Sequence, residues 1–338
     1  MKVGILTFHD AHNYGAVLQA FALKEYLKKI GFEAQIVNYH HYTIPDGYPK
    51  EDNEERWNKF NDFIKDLIDN QEKICTSEEE LEKLDFDFWI CGSDQIWNTD
   101  ITRGFNKGFF LNFNTKGKKI SYATSMGIPK LEEKYEEILE ESTNKLDYIS
   151  VREESLKQYI ERFTNKPVVR VLDPTFLLEE EDYDKLIKDE NKYGKYILIN
   201  ALGPDERLTQ IAMEIAKKKN LKIIELNDKE KDNYFCEQIS AASPIEYLAL
   251  MKNAQVIVTN SFHGTVFSII FKKEFYTITR LNRNSRMENI LDIVDMRDRL
   301  IENVKEIENV KKQDYEEAYK RLEKEREKSK KFLKEALI

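Results

Sequence analysis

The segment Ser261-Phe262-His263-Gly264 has the residue types for acid–base chemistry next to a bound anion. It lies between apolar runs at residues 254–259 and 265–271, which predicts a buried strand, a short loop and a helix. Backbone N–H groups at a helix N-terminus and the helix dipole favour an anion, and phosphate is the natural one. His263 could donate a hydrogen bond to that phosphate and exchange a proton near neutral pH, because the pKa of histidine is about 6.5. The alternative is a histidine that caps its own helix.

Arginine side chains form the second group of candidates. Arg152 follows the apolar run at residues 148–151, and its planar guanidinium suits a carboxylate or phosphate better than a lysine would. A surface ion pair with Glu153 or Glu154 is the alternative. Three further arginines follow the run at residues 275–279 and could together meet an anionic donor: Arg280, Arg283 and Arg286.

The segment Gly92-Ser93-Asp94-Gln95 combines a glycine, which permits close approach to the backbone, with a carboxylate that could take a proton from an attacking hydroxyl. Trp97 offers an aromatic face on which a sugar could rest. The alternatives are that Asp94 caps a helix and that Trp97 belongs to the core. The same ambiguity holds for Asn13-Tyr14-Gly15, because Asn13 could cap the helix that follows.

Alternating strands and helices must position these segments. In the first half of the chain, strands are predicted at residues 3–8, 34–38, 86–91, 119–123 and 148–151. In the second half, they are predicted at residues 168–172, 196–200, 222–226, 254–259 and 275–279. This alternation is typical of parallel sheets, in which ligands collect at the carboxyl ends of the strands. It predicts a first domain over residues 1–165 with a helical insertion at 42–85, a second over 166–310, and a C-terminal helix over 311–338.

Composition excludes several classes of protein. The formal net charge of -9 argues against nucleic acid as a partner. The cysteines Cys75, Cys91 and Cys236 form no C-x-x-C pair, and the five histidines lack the i, i+4 placement of a helical metal site, so we expect no metal. No apolar run reaches the roughly 18 residues of a membrane span, and the N-terminus lacks a cleavable signal pattern. We therefore expect a cytoplasmic protein that is not integral to a membrane.

Five segments together, in their order and spacing, resemble the polysaccharide pyruvyl transferase family. They are Asn13-Tyr14-Gly15-Ala16-Val17-Leu18-Gln19, Gly92-Ser93-Asp94-Gln95-Ile96-Trp97-Asn98, Ser121-Tyr122-Ala123-Thr124-Ser125-Met126-Gly127, Ser150-Val151-Arg152-Glu153 and Thr259-Asn260-Ser261-Phe262-His263-Gly264. The resemblance covers residues 1 to about 300 and leaves out the closing helix. It implies an α/β fold like that of the GT-B glycosyltransferases, with two Rossmann-like domains facing a cleft.

The resemblance also implies a function. Such an enzyme moves the pyruvyl group of phosphoenolpyruvate onto sugar hydroxyls, uses no metal or nucleotide cofactor, and acts on a sugar or a lipid-linked oligosaccharide. By similarity, His263 is the catalytic histidine and Arg152 the donor-binding arginine. One departure is Asn260, where relatives commonly carry aspartate; if that aspartate charges the histidine, its loss lowers the basicity of His263.

Residue roles follow from these arguments. We expect His263, Arg152 and Asp94 to act in catalysis, with the first domain on the acceptor side and the second on the donor side. Donor-binding residues are predicted to be Ser261, Phe262, Gly264, Arg280, Arg283 and Arg286. Acceptor-binding residues are predicted to be Asn13, Tyr14, Gly15, Gln95, Trp97, Asn98 and Ser125. Two other functions stay open, namely a GT-B glycosyltransferase that uses a nucleotide sugar and a catalytically silent sugar- or anion-binding homologue.

Overall fold

A computed structural model describes residues 1–40, 53–188, 191–227, 235–279 and 285–338. The first of its two sheets has six parallel strands in the order β2-β1-β3-β4-β5-β6. These strands are β1 (Lys2–Leu6), β2 (Glu33–Ile36), β3 (Phe88–Cys91), β4 (Lys118–Thr124), β5 (Tyr148–Val151) and β6 (Val168–Arg170). The helices in this part of the chain are α1 (Tyr14–Lys29), α2 (Glu54–Leu67), α3 (Glu78–Leu81), α4 (Glu136–Lys145) and α5 (Glu154–Ile160). Apolar runs form the central strands because a parallel sheet is covered on both faces.

The second sheet has five parallel strands in the order β11-β10-β7-β8-β9. These are β7 (Tyr196–Asn200), β8 (Lys222–Leu226), β9 (Glu237–Ile239), β10 (Val256–Thr259) and β11 (Glu274–Thr277). The remaining helices are α6 (Glu180–Asp184), α7 (Glu206–Lys219), α8 (Pro244–Asn253), α9 (Phe262–Ile270), α10 (Ser285–Ile293) and α11 (Tyr315–Ala336). Strand β9 was not predicted, because its residues are only three and none of them is fully buried.

One predicted strand belongs to a different sheet from the one expected. Residues 168–172 were predicted to open the second alternation, but β6 pairs with β5, with Ile149 opposite Val168 and Val151 opposite Arg170. The helix α5 between these two strands makes an ordinary right-handed parallel connection possible within one sheet. Strand β6 therefore ends the first sheet rather than beginning the second.

Contacts within the chain divide it into two compact units. The first consists of Met1–Pro49, Ile64–Leu178 and Lys324–Ile338, and the second of Lys50–Phe63 and Glu179–Glu323. The first unit thus runs past the predicted boundary at residue 165, because β6 and the segment after it pack with the first sheet. The final helix, predicted as a separate segment from residue 311, contributes residues to both units.

Helix α11 is amphipathic. Its buried side chains include Ala318 and Leu322 in the second unit and Phe332, Leu333 and Ala336 in the first. This apolar line is a packing face, and charged side chains cover the rest of the helix. Within the described part of the chain, none of the helices is both long enough and apolar enough to span a bilayer.

Candidate functional site

Arg152 lies at the carboxyl edge of the first sheet, directly after β5, and only 4% of its side chain is exposed. Its Nη1 lies 2.6 Å from Oδ2 of Asp173, which is completely buried. Ser93, at the carboxyl end of β3, donates a hydrogen bond of 3.0 Å to the same Asp173 oxygen. The alternative of a surface ion pair with Glu153 or Glu154 is wrong in its location, because Arg152 is buried and its shortest ion pair is with Asp173, which follows β6.

Two further carboxylates lie beside the same guanidinium. Oε1 of Glu153 is 3.5 Å from Arg152 Nε, and Oδ1 of Asp94 is 3.9 Å from Arg152 Nη2. Burial by itself would lower the pKa of Arg152, but the carboxylates of Asp173, Glu153 and Asp94 outweigh it and raise that pKa. With all four groups ionised, one positive charge meets three negative charges. The cluster formed by Arg152, Asp173, Glu153 and Asp94, called here the arginine cluster, therefore carries surplus negative charge.

Asp94 is the member of the arginine cluster that reaches solvent most, with 14% of its side chain exposed against 5% or less for the other three. Its backbone has φ of 71°, which is uncommon for a residue other than glycine. A bridge to Thr124 and a hydrogen bond from Ser125 N to its carbonyl oxygen hold this conformation. Asp94 therefore does not cap a regular helix, and its carboxylate stands at the end of the sheet.

Four predicted acceptor residues follow β3 and β4, and three of them are buried. Trp97 is completely buried, stacks on Phe110 with ring centroids 4.6 Å apart, and donates its indole N–H to the carbonyl oxygen of Phe109. Its predicted role as a sugar platform is wrong, because both the ring face and the N–H are used in the core. Asn98 and Ser125 are also completely buried, so neither presents its side chain to a ligand in this structure.

Gln95 is half-buried and remains a candidate for contact with the acceptor. Its Oε1 accepts a hydrogen bond of 3.2 Å from Asn98 Nδ2. The same oxygen would lie 1.8 Å from a Cβ atom built on Gly127, whose φ is 63°. The glycine is therefore required both by the backbone conformation and by the close approach of Gln95.

Asn13 is the N-cap of α1, as the alternative to a binding role predicted. Its side chain accepts a hydrogen bond of 3.1 Å from the Ala16 amide. Tyr14 is half-buried and Gly15 is buried. Within the predicted acceptor segment 13–15, the side chain of Tyr14 is therefore better placed to contact a ligand than buried Gly15 is, and Asn13 caps α1.

A histidine pair joins the ends of β1 and β2, in the same loop region. His9 is completely buried, with Nδ1 at 3.2 Å from the Thr7 carbonyl and Nε2 at 3.2 Å from Asn38 Oδ1. His40 Nε2 lies 2.9 Å from that same Asn38 oxygen, and His40 Nδ1 lies 3.6 Å from Asp10 Oδ2. Burial, opposed by Asp10, lowers the pKa of His40. The loop that leads to the predicted acceptor residues Asn13 and Tyr14 thus begins at a buried histidine held by hydrogen bonds.

In the second unit, His263 lies in the first turn of α9, two residues after the N-cap residue Ser261. The helix begins at Phe262, three residues earlier than predicted. The Ser261 hydroxyl accepts a hydrogen bond of 3.2 Å from the Gly264 amide, so serine rather than histidine caps the helix. The His263 side chain is 7% exposed and its ring makes an edge contact with Phe262 at 5.1 Å between centroids.

Gly264 packs α9 tightly against the sheet. A Cβ atom at this position would lie 2.4 Å from Thr259 Oγ1 and 2.7 Å from Asn200 Nδ2. That hydroxyl is fixed, because it donates a hydrogen bond of 2.7 Å to the Asn200 carbonyl and accepts one of 3.0 Å from the Ser261 amide. Glycine at 264 therefore lets the helix N-terminus, with His263, sit directly on the ends of β10 and β7. The Gly264 N–H, predicted to bind phosphate, donates instead to the Ser261 hydroxyl in this structure.

Asn260 connects two strand ends. It is buried, and its Oδ1 accepts a hydrogen bond of 2.7 Å from the Leu202 amide in the loop after β7. Its side chain also hydrogen-bonds Asp205, whose pKa is lowered mainly by Arg207 and further by Asn260. These two contacts of Asn260 stabilise the loop after β7.

The predicted arginine group is described only in part. The guanidinium carbon of Arg286, in α10, lies 5.6 Å from the centre of the Phe262 ring, a distance suited to a cation–π contact. Arg280 and Arg283 lie outside the described residues. Among the residues that the structure does describe, no group of three or more His, Cys, Asp or Glu side chains has the geometry to hold a metal ion.

Sequence reasoning missed Asp173 and Ser93 as parts of the site. Both follow predicted strands, and Asp173 stands directly before Pro174, a pattern that marks the end of a strand. The missing information was that β6 lies next to β5, since only this pairing brings Asp173 to Arg152.

Both the sequence and the fold of this chain resemble those of known proteins. The model of the polysaccharide pyruvyl transferase family matches residues 13–282 of the chain. No curated protein sequence matches it significantly. Solved structures that resemble it include a UDP-N-acetylglucosamine 2-epimerase with 11% identity and a TM-score of 0.59, covering 99% of this chain and 95% of that one.

Two further epimerases give the same result. The enzyme of Methanocaldococcus jannaschii in complex with UDP-GlcNAc and UDP has 16% identity and a TM-score of 0.55, covering 93% of this chain and 94% of that one. The enzyme of Neisseria meningitidis bound to UDP-GlcNAc has 11% identity and a TM-score of 0.53, with 100% and 94% covered. At such identities the likeness shows the fold alone. The predicted GT-B-like α/β fold of two Rossmann-like domains with a long C-terminal helix is therefore confirmed.

Proposed function

Because this chain belongs to the polysaccharide pyruvyl transferase family, we propose that it transfers the pyruvyl group of phosphoenolpyruvate to a sugar of a polysaccharide or its precursor, forming a cyclic ketal. The observation that carries this proposal is the position of His263. It lies in the first turn of a nine-residue helix, at the carboxyl end of a central strand and inside the matched region.

The reaction requires the addition of one proton to carbon and the removal of one proton from each of two sugar hydroxyls. A proton added to the methylene carbon of phosphoenolpyruvate leaves a cationic centre at C2, which one sugar hydroxyl attacks and thereby loses its proton. The C2–O bond to phosphate then breaks, and a second hydroxyl of the same sugar closes the ketal with loss of its own proton. One of the two released protons replaces the proton that was added to carbon, and the other ends on the departing phosphate. Phosphoenolpyruvate and a diol thus become the ketal and hydrogen phosphate, with no cofactor in the balance.

We assign the proton donor to His263. The dipole of α9 favours negative charge at its N-terminus, so phosphate and the carboxylate of the donor are stabilised beside the imidazole. Phosphate gains charge as the C2–O bond breaks, and fixed dipoles aimed at that charge lower the barrier. Ser261 and Gly264 act by fixing the start of the helix, as their hydrogen bond shows.

Asp94 is the proposed proton acceptor on the sugar side, because its carboxylate is the most accessible of the arginine cluster. Arg152 is the proposed donor-binding arginine on the strength of the family resemblance, and the ion pairs with Asp173 and Glu153 hold its guanidinium in one orientation. Arg152→Lys separates two roles. A raised KM for phosphoenolpyruvate supports donor binding, whereas a lower kcat at unchanged KM means that Arg152 acts by positioning Asp94.

The direct test is phosphate release from phosphoenolpyruvate with galactose-, mannose- and glucosamine-type acceptors. His263→Ala should abolish acceptor-dependent release. Ser268→Ala is the matched control, because Ser268 is a buried residue of the same helix whose hydroxyl bonds the Gly264 carbonyl. Full turnover by a folded His263→Ala protein would refute the assignment of the proton donor.

A nucleotide-sugar donor is the second candidate function. The epimerases that share this fold were solved with UDP-GlcNAc bound, and the same helix terminus would suit a diphosphate. Thermal-shift measurements with UDP-GlcNAc and with phosphoenolpyruvate separate the two. Stabilisation by phosphoenolpyruvate alone supports pyruvyl transfer.

A silent homologue that binds the donor without releasing phosphate is the third candidate, motivated by Asn260. Asn260→Asp tests it. Asn260 contacts Leu202 and Asp205, and a second carboxylate beside Asp205 would add repulsion there. We expect Asn260→Asp to destabilise the loop after β7 without raising kcat; a gain in phosphate release would instead show that position 260 tunes the histidine.

The expected setting follows from the proposed substrate. We propose that the protein works in the cytoplasm, including at the inner face of the membrane, where a lipid-linked acceptor would be held. Cosedimentation with vesicles carrying such an acceptor, and its absence with bare vesicles, would support this location.

A further inference from the structure

A cavity of about 290 Å³ lies in the second unit, beside strand β9. We call it the β9 cavity. Its walls come from α8, from β9 with the segment after it, from the residues before β7, and from the first turns of α2. None of residues 261–264 lines it, so it is separate from the proposed catalytic position.

The wall contributed by α2 is fixed by a half-buried network of hydrogen bonds and ion pairs. Lys59 Nζ donates a hydrogen bond of 2.9 Å to the Ala241 carbonyl and lies 3.0 Å from the Glu246 carboxylate. Burial would lower the pKa of Lys59, but Glu55 and Glu246 outweigh it and raise that pKa. Glu246 is itself held by the Ser243 amide at 2.7 Å in the capping box of α8. This wall is therefore built before any ligand arrives.

The charges that line the β9 cavity balance. Two lysines, Lys59 and Lys192, stand against two glutamates, Glu55 and Glu246. Two of these groups already pair with Lys59, so no surplus positive charge is offered to a phosphate or carboxylate. A neutral ligand suits this lining better than an anion does.

The remaining lining combines an aromatic ring with amide groups. Tyr193 is half-buried, and its ring makes an edge contact with the buried ring of Tyr196, with centroids 6.0 Å apart. Gln238 and Asn253 contribute side-chain amides, each of which can donate and accept hydrogen bonds. Sugar hydroxyls also donate and accept, and the C–H face of a sugar packs on an aromatic ring. The volume lies at the lower end for ligand pockets, which fits one ring rather than an extended chain.

We propose that the β9 cavity binds one neutral sugar unit of the acceptor polysaccharide, other than the unit that receives the pyruvyl group. This inference rests on the proposed function. Ser240 follows β9 and Asn260 follows β10, and β7 and β8 lie between these strands. Three strand spacings, about 14 Å, separate these two strand ends. Tyr193 and Asn253 precede β7 and β10, so the ring and the amide lie one further strand length, about 13 Å, from the carboxyl edge that carries His263. A chain of several sugars can span these distances, and a second contact raises the local concentration of the acceptor.

The test compares acceptors of increasing length with the full-length protein. Tyr193→Ala removes the ring, and Asn253→Leu removes the amide at similar volume. Phe235→Ala is the control, because Phe235 is an exposed aromatic residue of the same unit that does not line the cavity. For a long neutral acceptor, both cavity variants should raise KM about threefold to tenfold at unchanged kcat. For a single sugar, KM should not change in either variant.

A second measurement separates failure of this inference from failure of the proposed function. Calorimetry without phosphoenolpyruvate measures binding of a neutral oligosaccharide to the wild-type protein and to Tyr193→Ala. Binding that Tyr193→Ala abolishes supports the inference even where no acceptor is pyruvylated. Equal KM values for long acceptors in all variants, no oligosaccharide binding, or binding of a nucleoside in its place would overturn it.

Discussion

Replacing Asp173 by asparagine probes the arginine cluster with the smallest change in shape. Asp173 Oδ2 accepts hydrogen bonds from Arg152 Nη1 at 2.6 Å and from the Ser93 hydroxyl at 3.0 Å. Asp173 Oδ1 accepts from the amide and hydroxyl of Thr175 at 3.1 and 2.7 Å. Either orientation of an asparagine amide therefore points an N–H₂ group at two donors.

The magnitude follows from these contacts. Removing one partner of a buried ion pair costs about 3–5 kcal/mol when the other charge is left alone. Arg152 is not left alone, because Glu153 and Asp94 stay 3.5 and 3.9 Å away, and the formal charge of the cluster falls from -2 to -1. We therefore expect Asp173→Asn to lower the free energy of unfolding by about 2–3 kcal/mol.

Thermal unfolding followed by circular dichroism measures this effect. A loss of that size corresponds to a fall in Tm of about 4–12 °C for a unit of this length. Glu132→Gln is the control, since Glu132 pairs with Lys134 at 2.9 Å on the surface, with both side chains more than half exposed. Such a pair contributes about 0–1 kcal/mol. A Tm for Asp173→Asn within 1 °C of the control would refute the view that the buried pair stabilises the first unit.

Three further predictions concern single residues. Gly264→Ala should lower the free energy of unfolding, measured in urea, by about 1–3 kcal/mol, because the new Cβ meets Thr259 Oγ1 and this clash outweighs the helix preference of alanine. Adding Thr259→Ala to the same chain should restore part of the lost stability. A Gly264→Ala protein of unchanged stability would contradict the tight packing. Burial, opposed by Asp10, lowers the pKa of His40 below 6.5, so near that pH the unfolded chain binds more protons at this residue than the folded chain does. Tm should therefore fall as pH drops below about 6.5, and His40→Gln should lessen that fall. An equal fall of Tm in both proteins would count against this role of His40. Asn13→Ala should cost about 1 kcal/mol through loss of the α1 cap and Asn13→Ser little, as measured by urea unfolding; equal losses would mean that the cap is not the cause.

The strands could be predicted from the sequence because a buried parallel strand is a short continuous apolar run. The predicted bounds of β5, β7 and β8 agree with the structure, and those of the other central strands differ by a few residues. Membership of a sheet could not be predicted in the same way. The residues of β6 look the same whether they close one sheet or open the next, and pairing with β5 decides the question.

The candidate site was predictable in position more than in detail. Strand ends carry Asp94, Arg152 and His263 to the carboxyl edges of the two sheets, which follows from the order of the elements. The fate of Trp97 did not follow. A tryptophan after a strand can face solvent or core, and the partners that bury it, Phe109 and Phe110, lie more than ten residues further along the chain.

The carboxyl edges of the two sheets differ in charge, and this difference bears on which edge suits the donor and which suits the acceptor. At the first sheet, one guanidinium and three carboxylates leave surplus negative charge, which suits the removal of a proton from a hydroxyl and opposes a multiply charged anion. At the second sheet, the hydroxyls of Ser261, Thr259 and Thr265 and the amide of Asn200 lie around the start of α9, and the helix dipole meets no carboxylate among these groups. The guanidinium of Arg286 adds a positive charge 5.6 Å from the Phe262 ring. Under the proposed function, we therefore expect the anionic donor at the second edge and the hydroxyl acceptor at the first. If Arg152 nonetheless binds the donor, the three carboxylates of its own cluster oppose that binding. The change in KM for phosphoenolpyruvate caused by Arg152→Lys measures how much Arg152 contributes to donor binding.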